Sequence, residues 1–172
     1  MKNGNYEYCK ELARQVLSDY GVTELPVDVH NLYRQQKITV LYDDEAAGWD
    51  GIAAIKCRQP YILLRRGLSL ARERYVIAHE LGHLWLGHVG AWGNTVDRSE
   101  TIKQVREREA TEFAMELLMP LYALSVLRAN TAEEIQNWCG VNYPLAVYRQ
   151  KQIARNKKVV AFLVVFAYNT SV

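Results

Sequence analysis

The stretch AHELGHLWLGHV at residues 78–89 constrains the chain most, because it places two histidines and a glutamate in an otherwise apolar, helix-forming run. On an α-helix, residues four apart differ by about 40° in direction and about 6 Å in rise. His79 and His83 can therefore present both imidazoles to one ion, and neutral imidazole is a standard zinc ligand. This composition yields an HExxH match by chance in roughly one chain in 150, so two ordinary core histidines are the weaker interpretation.

Glu80 stands beside these histidines. On a helix it is rotated about 100° from His79 and about 60° from His83, so it flanks a metal rather than necessarily binding it. A carboxylate in this place can take a proton from a metal-activated water and return it to the leaving amine. The pattern predicts metal-dependent peptide hydrolysis with Glu80 as the catalytic base.

A catalytic zinc site needs three protein ligands and an open position for water, so one ligand remains to be found. His88 stands one residue away from the position of the third histidine in HExxHxxGxxH. If the helix continued that far, His88 would lie about 140° round from His83. We therefore expect His88 to pack or hydrogen-bond near the helix end rather than to bind the metal.

The other source of a third ligand is the stretch REREATEFAMELLMP at residues 106–120, which predicts the next helix. Its apolar stripe should face the core, and Glu109 lies at the edge of that stripe, about 40° from Phe113. Glu112 lies about 60° further toward solvent. Glu107 lies beyond the opposite edge of the apolar stripe. Helical geometry alone ranks Glu109 above Glu112 and does not exclude Glu107.

The remaining patterns predict an α+β fold: a small β-sheet packed by helices, with the HExxH helix followed by a glutamate-bearing helix. Compact runs rich in β-branched residues indicate strands at 38–42, 52–55 and 61–64, the last two paired around a turn. Helical spacing and capping residues indicate the helices, which are expected at 6–20, from Asp28 to about 36, at 71–88, from about 100 to 119, after Thr131 and at 142–155.

The length of 172 residues suits one domain with a hydrophobic core, 1–172, comprising a catalytic core at 1–125 and a short helical tail at 126–172. The tail ends in an apolar run at 159–168, whose Val and Phe content favours a strand. That run is too short to span a bilayer, and no signal peptide is visible. The three separated cysteines indicate free thiols, so we expect a cytoplasmic protein with no membrane partner.

The sequence HELGHLWLGH followed by EREATEFAMELLMP resembles the ImmA/IrrE family of metallo-endopeptidases. In that family an HExxH helix precedes a helix that reads roughly ExEANxFAxxLLMP. The resemblance is tight over 74–120 and looser on either side. It implies a gluzincin-like site in which one Zn²⁺ ion is held by His79, His83 and Glu109, with Glu80 as the catalytic base.

The same resemblance implies a protein substrate, typically a helix-turn-helix repressor encoded beside the peptidase in a prophage or mobile element. Cleavage of that repressor would switch on the genes that it silences. One position departs from the family pattern, because Thr111 stands where asparagine is usual. Threonine has a hydroxyl but lacks the side-chain amide.

The competing hypothesis is a non-proteolytic regulatory or DNA-binding module that retains a metal site. Basic residues in the tail can meet DNA phosphates, namely Arg149, Lys151, Arg155, Lys157 and Lys158. Such clusters are more often solvated helix faces, and the net charge of +2 does not by itself imply a nucleic-acid partner. The intact HExxH pattern favours the enzyme.

Overall fold

The computed structural model describes residues 4–46, 48–89 and 99–155. Within these ranges the chain forms seven helices and one three-stranded sheet, so the predicted α+β class is confirmed. None of the described helices is long and apolar enough to cross a membrane. The elements in chain order are α1 (Tyr6–Asp19), α2 (Val29–Gln35), β1 (Thr39–Asp43), β2 (Gly51–Lys56), β3 (Gln59–Arg65), α3 (Leu70–Trp85), α4 (Glu100–Leu118), α5 (Leu121–Val126), α6 (Ala132–Cys139) and α7 (143–155).

Three helices, α2, α3 and α6, begin where the sequence places capping side chains. Asp28 accepts hydrogen bonds from two backbone N–H groups at the start of α2, and Ser69 accepts one at the start of α3. Thr131 and Glu134 form both halves of a capping box on α6. These bonds satisfy N–H groups that have no partner inside the helix, so local sequence determines where these three helices start.

The sheet has the order β1-β3-β2, with β3 in the centre. β2 and β3 pair antiparallel, as predicted, and Ala53 lies opposite Ile62. β1 runs parallel to β3, a pairing that the sequence did not predict, and it places Val40 opposite Ile62. In the three-stranded sheet formed by the described residues, β2 is therefore an outer strand.

α4 is the central helix, because it packs against α1 and against α3. The approach of α3 is close at Gly82, where an added Cβ would lie 3.1 Å from the ring of Phe113 and 3.2 Å from the carbonyl oxygen of Ala110. Phe113 and Ala110 are fully buried. Glycine at position 82 therefore allows the HExxH helix to lie directly on α4.

Four acidic residues of α4 beyond its exposed start divide between the faces toward α1 and α3. Three glutamates at spacings of three and four residues face α1. Glu109 accepts a hydrogen bond from the backbone N–H of Asn5 at 3.0 Å. Glu112 lies 3.9 Å from the ammonium of Lys10, and Glu116 lies 3.4 Å from the guanidinium of Arg14. The prediction that Glu112 lies toward solvent was wrong, because α1 covers that face and leaves Glu112 only 6% exposed.

The HExxH helix ends at Trp85, three residues before the predicted end at 88. Gly87 has a φ of +69°, and its N–H donates to the carbonyl of Leu84 at 3.2 Å. The N–H of the next residue, His88, donates to the carbonyl of His83 at 2.9 Å. These two bonds form a Schellman motif, which commonly ends a helix at a glycine. His88 therefore lies outside the helix and folds back onto its last turn.

The tail helix α7 is docked on α4 through one buried cation. Arg149 is 1% exposed, pairs with the fully buried Glu116 and donates from Nε to the carbonyl of Met119 at 2.7 Å. The hypothesis of a basic DNA-binding cluster is corrected at this residue, because Arg149 faces the core. Lys151 and Arg155 are exposed. Lys157, Lys158 and the apolar run 159–168 lie outside the described residues.

Replacing Gly82 with valine is expected to destabilise the protein by about 1–3 kcal/mol, because the added carbons meet the backbone of Ala110, which cannot swing aside as a long side chain can. Urea unfolding followed by circular dichroism measures this. Leu70→Val places valine on the same helix at a side chain that is 71% exposed, and it should change the free energy of unfolding by no more than about 0.5 kcal/mol. Equal stability of both variants would contradict the close contact.

Replacing Arg149 with methionine should cost about 3 kcal/mol or more, because the buried carboxylate of Glu116 loses its buried cation. The double variant Arg149→Met, Glu116→Gln should recover part of that loss, since no buried charge is then left without a buried partner. Chemical unfolding of the two variants and the wild type gives both free energies. A double variant less stable than Arg149→Met would show that the pair does not behave as described.

Candidate metal centre

Three side chains with metal-binding atoms converge between α3 and α4. His79 and His83 lie one turn apart on α3, and their Nε2 atoms are 3.1 Å apart. Glu107 reaches across from α4, with one carboxylate oxygen 3.2 Å from His79 Nε2 and the other 3.6 Å from His83 Nε2. One potential ligand atom from each residue lies within 4.8 Å of the other two. We call this group the His79–His83–Glu107 cluster.

Glu109, which the sequence ranked first as the third ligand, is not brought into this cluster. One of its carboxylate oxygens lies 3.1 Å from Nε2 of His88, and the other accepts a hydrogen bond from the backbone N–H of Asn5 at 3.0 Å. Glu109 therefore lies on the side of α4 that faces α1. Among the described residues, Glu107 is thus the glutamate whose carboxylate lies beside both imidazoles.

The two packed faces of α4 explain why the ranking of the glutamates changes. The ranking assumed one buried stripe, but α4 is covered by both α1 and α3. Ala110 packs against Gly82 of α3, and on a helix Glu107 lies about 60° from Ala110 whereas Glu109 lies about 100° from it. Of these two glutamates, Glu107 is thus nearer the contact with α3, and it is the one that faces His79 and His83. The hydroxyl of Thr111, the departure from the family pattern, donates to the backbone carbonyl of Glu107 at 2.8 Å.

The spacing of the cluster fits a zinc ion. Zinc–ligand bonds of about 2.0–2.1 Å at tetrahedral angles place neighbouring ligand atoms about 3.3 Å apart. The separations in the cluster run from 3.1 to 3.6 Å. Two imidazole nitrogens and a carboxylate oxygen are also the donor set used by many catalytic zinc sites. The residues present therefore fit one divalent cation.

Charge within the cluster also suits a cation. The hydrogen bond with His79 and the nearby ring of His83 hold the pKa of the Glu107 carboxyl well below its usual range, so this carboxyl is ionised at neutral pH. Metal ligands must be deprotonated to bind. Glu107 thus offers a negative charge beside the two imidazoles.

Glu80 lies beside the cluster and is 8% exposed. Burial raises the pKa of its carboxyl, and its Oε2 accepts a hydrogen bond from the backbone N–H of Ala53 at 2.7 Å. Ala53 belongs to the outer strand β2, so the sheet edge holds the carboxylate in place. Glu80 and the cluster residues His83 and Glu107 line one cleft of about 180 Å³, together with residues 51–53 and His88.

His88 is closer to the cluster than the sequence predicted. The expected angle of about 140° from His83 assumed a helix through residue 88, whereas the Schellman motif at Gly87 turns the chain back. Nδ1 of His88 consequently lies 3.2 Å from Nδ1 of His83. Burial lowers the pKa of His88 to about 4, so its ring is neutral at pH 7. The glycine directly before His88 was the signal in the sequence that could have predicted this contact.

Comparisons with known proteins agree with this fold. A peptidase family model described as the IrrE N-terminal-like domain matches residues 22–151. The metallopeptidase ImmA of Bacillus subtilis (strain 168) is 27% identical over 148 residues, which cover 84% of this chain and 85% of that protein. A solved structure of a Mycobacterium tuberculosis transcriptional regulator aligns with a TM-score of 0.60 and 16% identity over 83% of this chain.

This chain spans 46% of the length of that regulator, and the likeness concerns the fold alone. The family model extends from the segment before α2 into α7, so it includes both helices that carry the cluster. The chain therefore belongs to the ImmA/IrrE family of metallopeptidases.

Proposed function

We propose that this protein is a zinc-dependent endopeptidase that cleaves a protein substrate. The observation that carries the proposal is the convergence of His79, His83 and Glu107 beside the buried Glu80. Membership of a metallopeptidase family supports peptide-bond hydrolysis as the reaction. The donor spacing supports zinc as the metal.

In this proposal the His79–His83–Glu107 cluster holds one Zn²⁺ ion. The bound ion supplies Lewis-acid activation of a water molecule for attack on the peptide carbonyl. Glu80 accepts the proton of that water, because burial raises its pKa toward the range where a carboxyl can both accept and return a proton. Glu80 then delivers the proton to the leaving amine. The N–H of Ala53 keeps the carboxylate oriented throughout.

The outer edge of β2 supports an extended peptide as the substrate. The N–H of Ala53 points away from β3 toward Glu80. Alternate residues of an antiparallel strand direct both backbone groups to the same side, so Gly51 and Ile55 also present theirs outward. A peptide that adds to this edge as a further strand would pass beside the cleft.

We further propose that the natural substrate is a cytoplasmic helix-turn-helix repressor, encoded beside this protein in a prophage or mobile element. The resemblance of both helical motifs to the ImmA/IrrE pattern supports this substrate, as does the similarity to a protein named metallopeptidase ImmA. Cleavage would remove the repressor and release the genes that it controls.

The competing function, a DNA-binding module without proteolysis, loses support at Arg149. That side chain is buried against Glu116 and cannot meet phosphate. Lys151 and Arg155 stay exposed on α7. A steep decrease of duplex binding with salt would favour the competing function.

Glu80→Gln should retain zinc and lose cleavage by on the order of 10²- to 10⁴-fold, because an amide cannot accept the proton. The variant and the wild type are co-expressed with the neighbouring repressor, fragments are followed by immunoblot, and zinc is measured on each purified protein. Glu100→Gln, at the exposed start of the same α4 that carries Glu107, serves as the control and should cleave normally. Full cleavage by Glu80→Gln would contradict the role of Glu80 as the catalytic base. A repressor that stays intact when it is co-expressed with the wild type would contradict the proposed substrate.

Glu107→Ala and His79→Ala should each weaken zinc binding by about 100-fold or more, beyond the range typical of residues that only support a ligand. Competition with a chromophoric chelator measures the zinc Kd of each purified variant. Glu100→Ala should bind zinc as the wild type does. If Glu109→Ala lost more affinity than Glu107→Ala, the third ligand would be Glu109, as the sequence ranking had it.

A further inference from the structure

A chain of side-chain contacts leads from the cluster to the start of α1. Nδ1 of His83 lies 3.2 Å from Nδ1 of His88. Nε2 of His88 lies 3.1 Å from Oε2 of Glu109. The other oxygen of Glu109 accepts the N–H of Asn5, the N-cap residue of α1. We call the first three residues the His83–His88–Glu109 relay.

The relay is largely shielded from water. The side chains of His83, His88 and Glu109 are 12%, 7% and 17% exposed, respectively. Hydrogen bonds in such surroundings are stronger than in water, and successive bonds polarise one another. The three groups are therefore expected to act as a unit.

Hydrogen-bond chemistry allows only one neutral arrangement along this relay. An ionised carboxylate only accepts, so Glu109 requires a proton on Nε2 of His88. A neutral imidazole carries one N–H, which leaves Nδ1 of His88 as an acceptor. The facing Nδ1 of His83 must then carry the proton. Nε2 of His83, the atom in the cluster, is left with a free lone pair.

We propose that Glu109 and His88 position His83 for metal binding by holding its ring in the tautomer whose Nε2 has no proton. The inference rests on the proposed metal site. Glu109 and His88 are positioning residues, because neither belongs to the cluster itself. A carboxylate that fixes the tautomer of a ligating histidine is common at metal sites. Here a second histidine transmits that effect over one additional hydrogen bond.

The two histidines of the cluster differ in this respect. Nδ1 of His79 is buried and has no hydrogen-bond partner among the described residues. Nδ1 of His83, in contrast, lies 3.2 Å from Nδ1 of His88. The relay therefore acts directly on His83, and it reaches His79 only through the 3.1 Å contact between the two Nε2 atoms.

The first test uses the metal-free wild-type protein and long-range ¹H–¹⁵N correlation spectra of its histidine rings. The expected spectrum shows a protonated Nδ1 in His83 and a protonated Nε2 in His88 at pH 7. A protonated Nε2 in His83 would overturn the relay. This measurement needs neither zinc nor a variant, so it decides the relay even if zinc binding, and with it the proposed function, fails.

The second test is Glu109→Gln. When the single carbonyl oxygen of glutamine takes the N–H of Asn5, its NH₂ group faces His88 and donates to Nε2. That reverses the relay and places a proton on Nε2 of His83. We expect the zinc Kd to rise by about 10- to 100-fold, with a matching change of tautomer in the ring spectra of His83 and His88.

Two further variants complete this test. His88→Ala removes the acceptor of His83 and should also weaken zinc binding by about 10-fold or more. Glu112→Gln is the matched control: it lies on the same face of α4 against Lys10, and it should bind zinc as the wild type does. Urea unfolding of each metal-free protein separates lost stability from lost affinity. Wild-type zinc affinity in both Glu109→Gln and His88→Ala would overturn the proposal.

Discussion

The close packing of α3 on α4 is the contact on which the rest of the site depends. At Gly82 no side chain separates the two helices, and the backbone of Ala110 and the ring of Phe113 fill the space. Burial of the apolar residues of α4 supplies the free energy that holds the helices together. A larger residue at position 82 would hold α3 away from α4, and the carboxylate of Glu107 would no longer reach both imidazoles.

α4 serves two neighbours at once, and this explains how one helix can carry so many acidic residues. Buried carboxylates are costly unless they are paired. The face toward α1 meets Lys10, Arg14 and the N–H of Asn5, while Arg149 of α7 reaches Glu116 from another side. The face toward α3 leaves one carboxylate for the histidines. The glutamates that pair with α1 and the glutamate beside His79 and His83 thus point in different directions around a single helix.

Much of the fold followed from local signals. The capping side chains Asp28, Ser69 and Thr131 start their helices where expected, because a cap bonds only to N–H groups a few residues away. The β2–β3 hairpin was equally predictable, since its strands are adjacent in the chain. The parallel pairing of β1 with β3 was not predicted, because it depends on which strands the helices bring together. The helix end at Trp85 was missed because the apolar pattern continues beyond Gly87.

The sequence by itself determined that His79, Glu80 and His83 share one helix, because a four-residue spacing on an α-helix is local geometry. Only the tertiary structure decided which glutamate of α4 stands against them. Helical periodicity places Glu107 and Glu109 around an axis, but it does not say which sides of that axis other helices will cover. The contacts of α4 with α1 and α3 set its orientation, and they direct Glu107 to the cluster and Glu109 to His88.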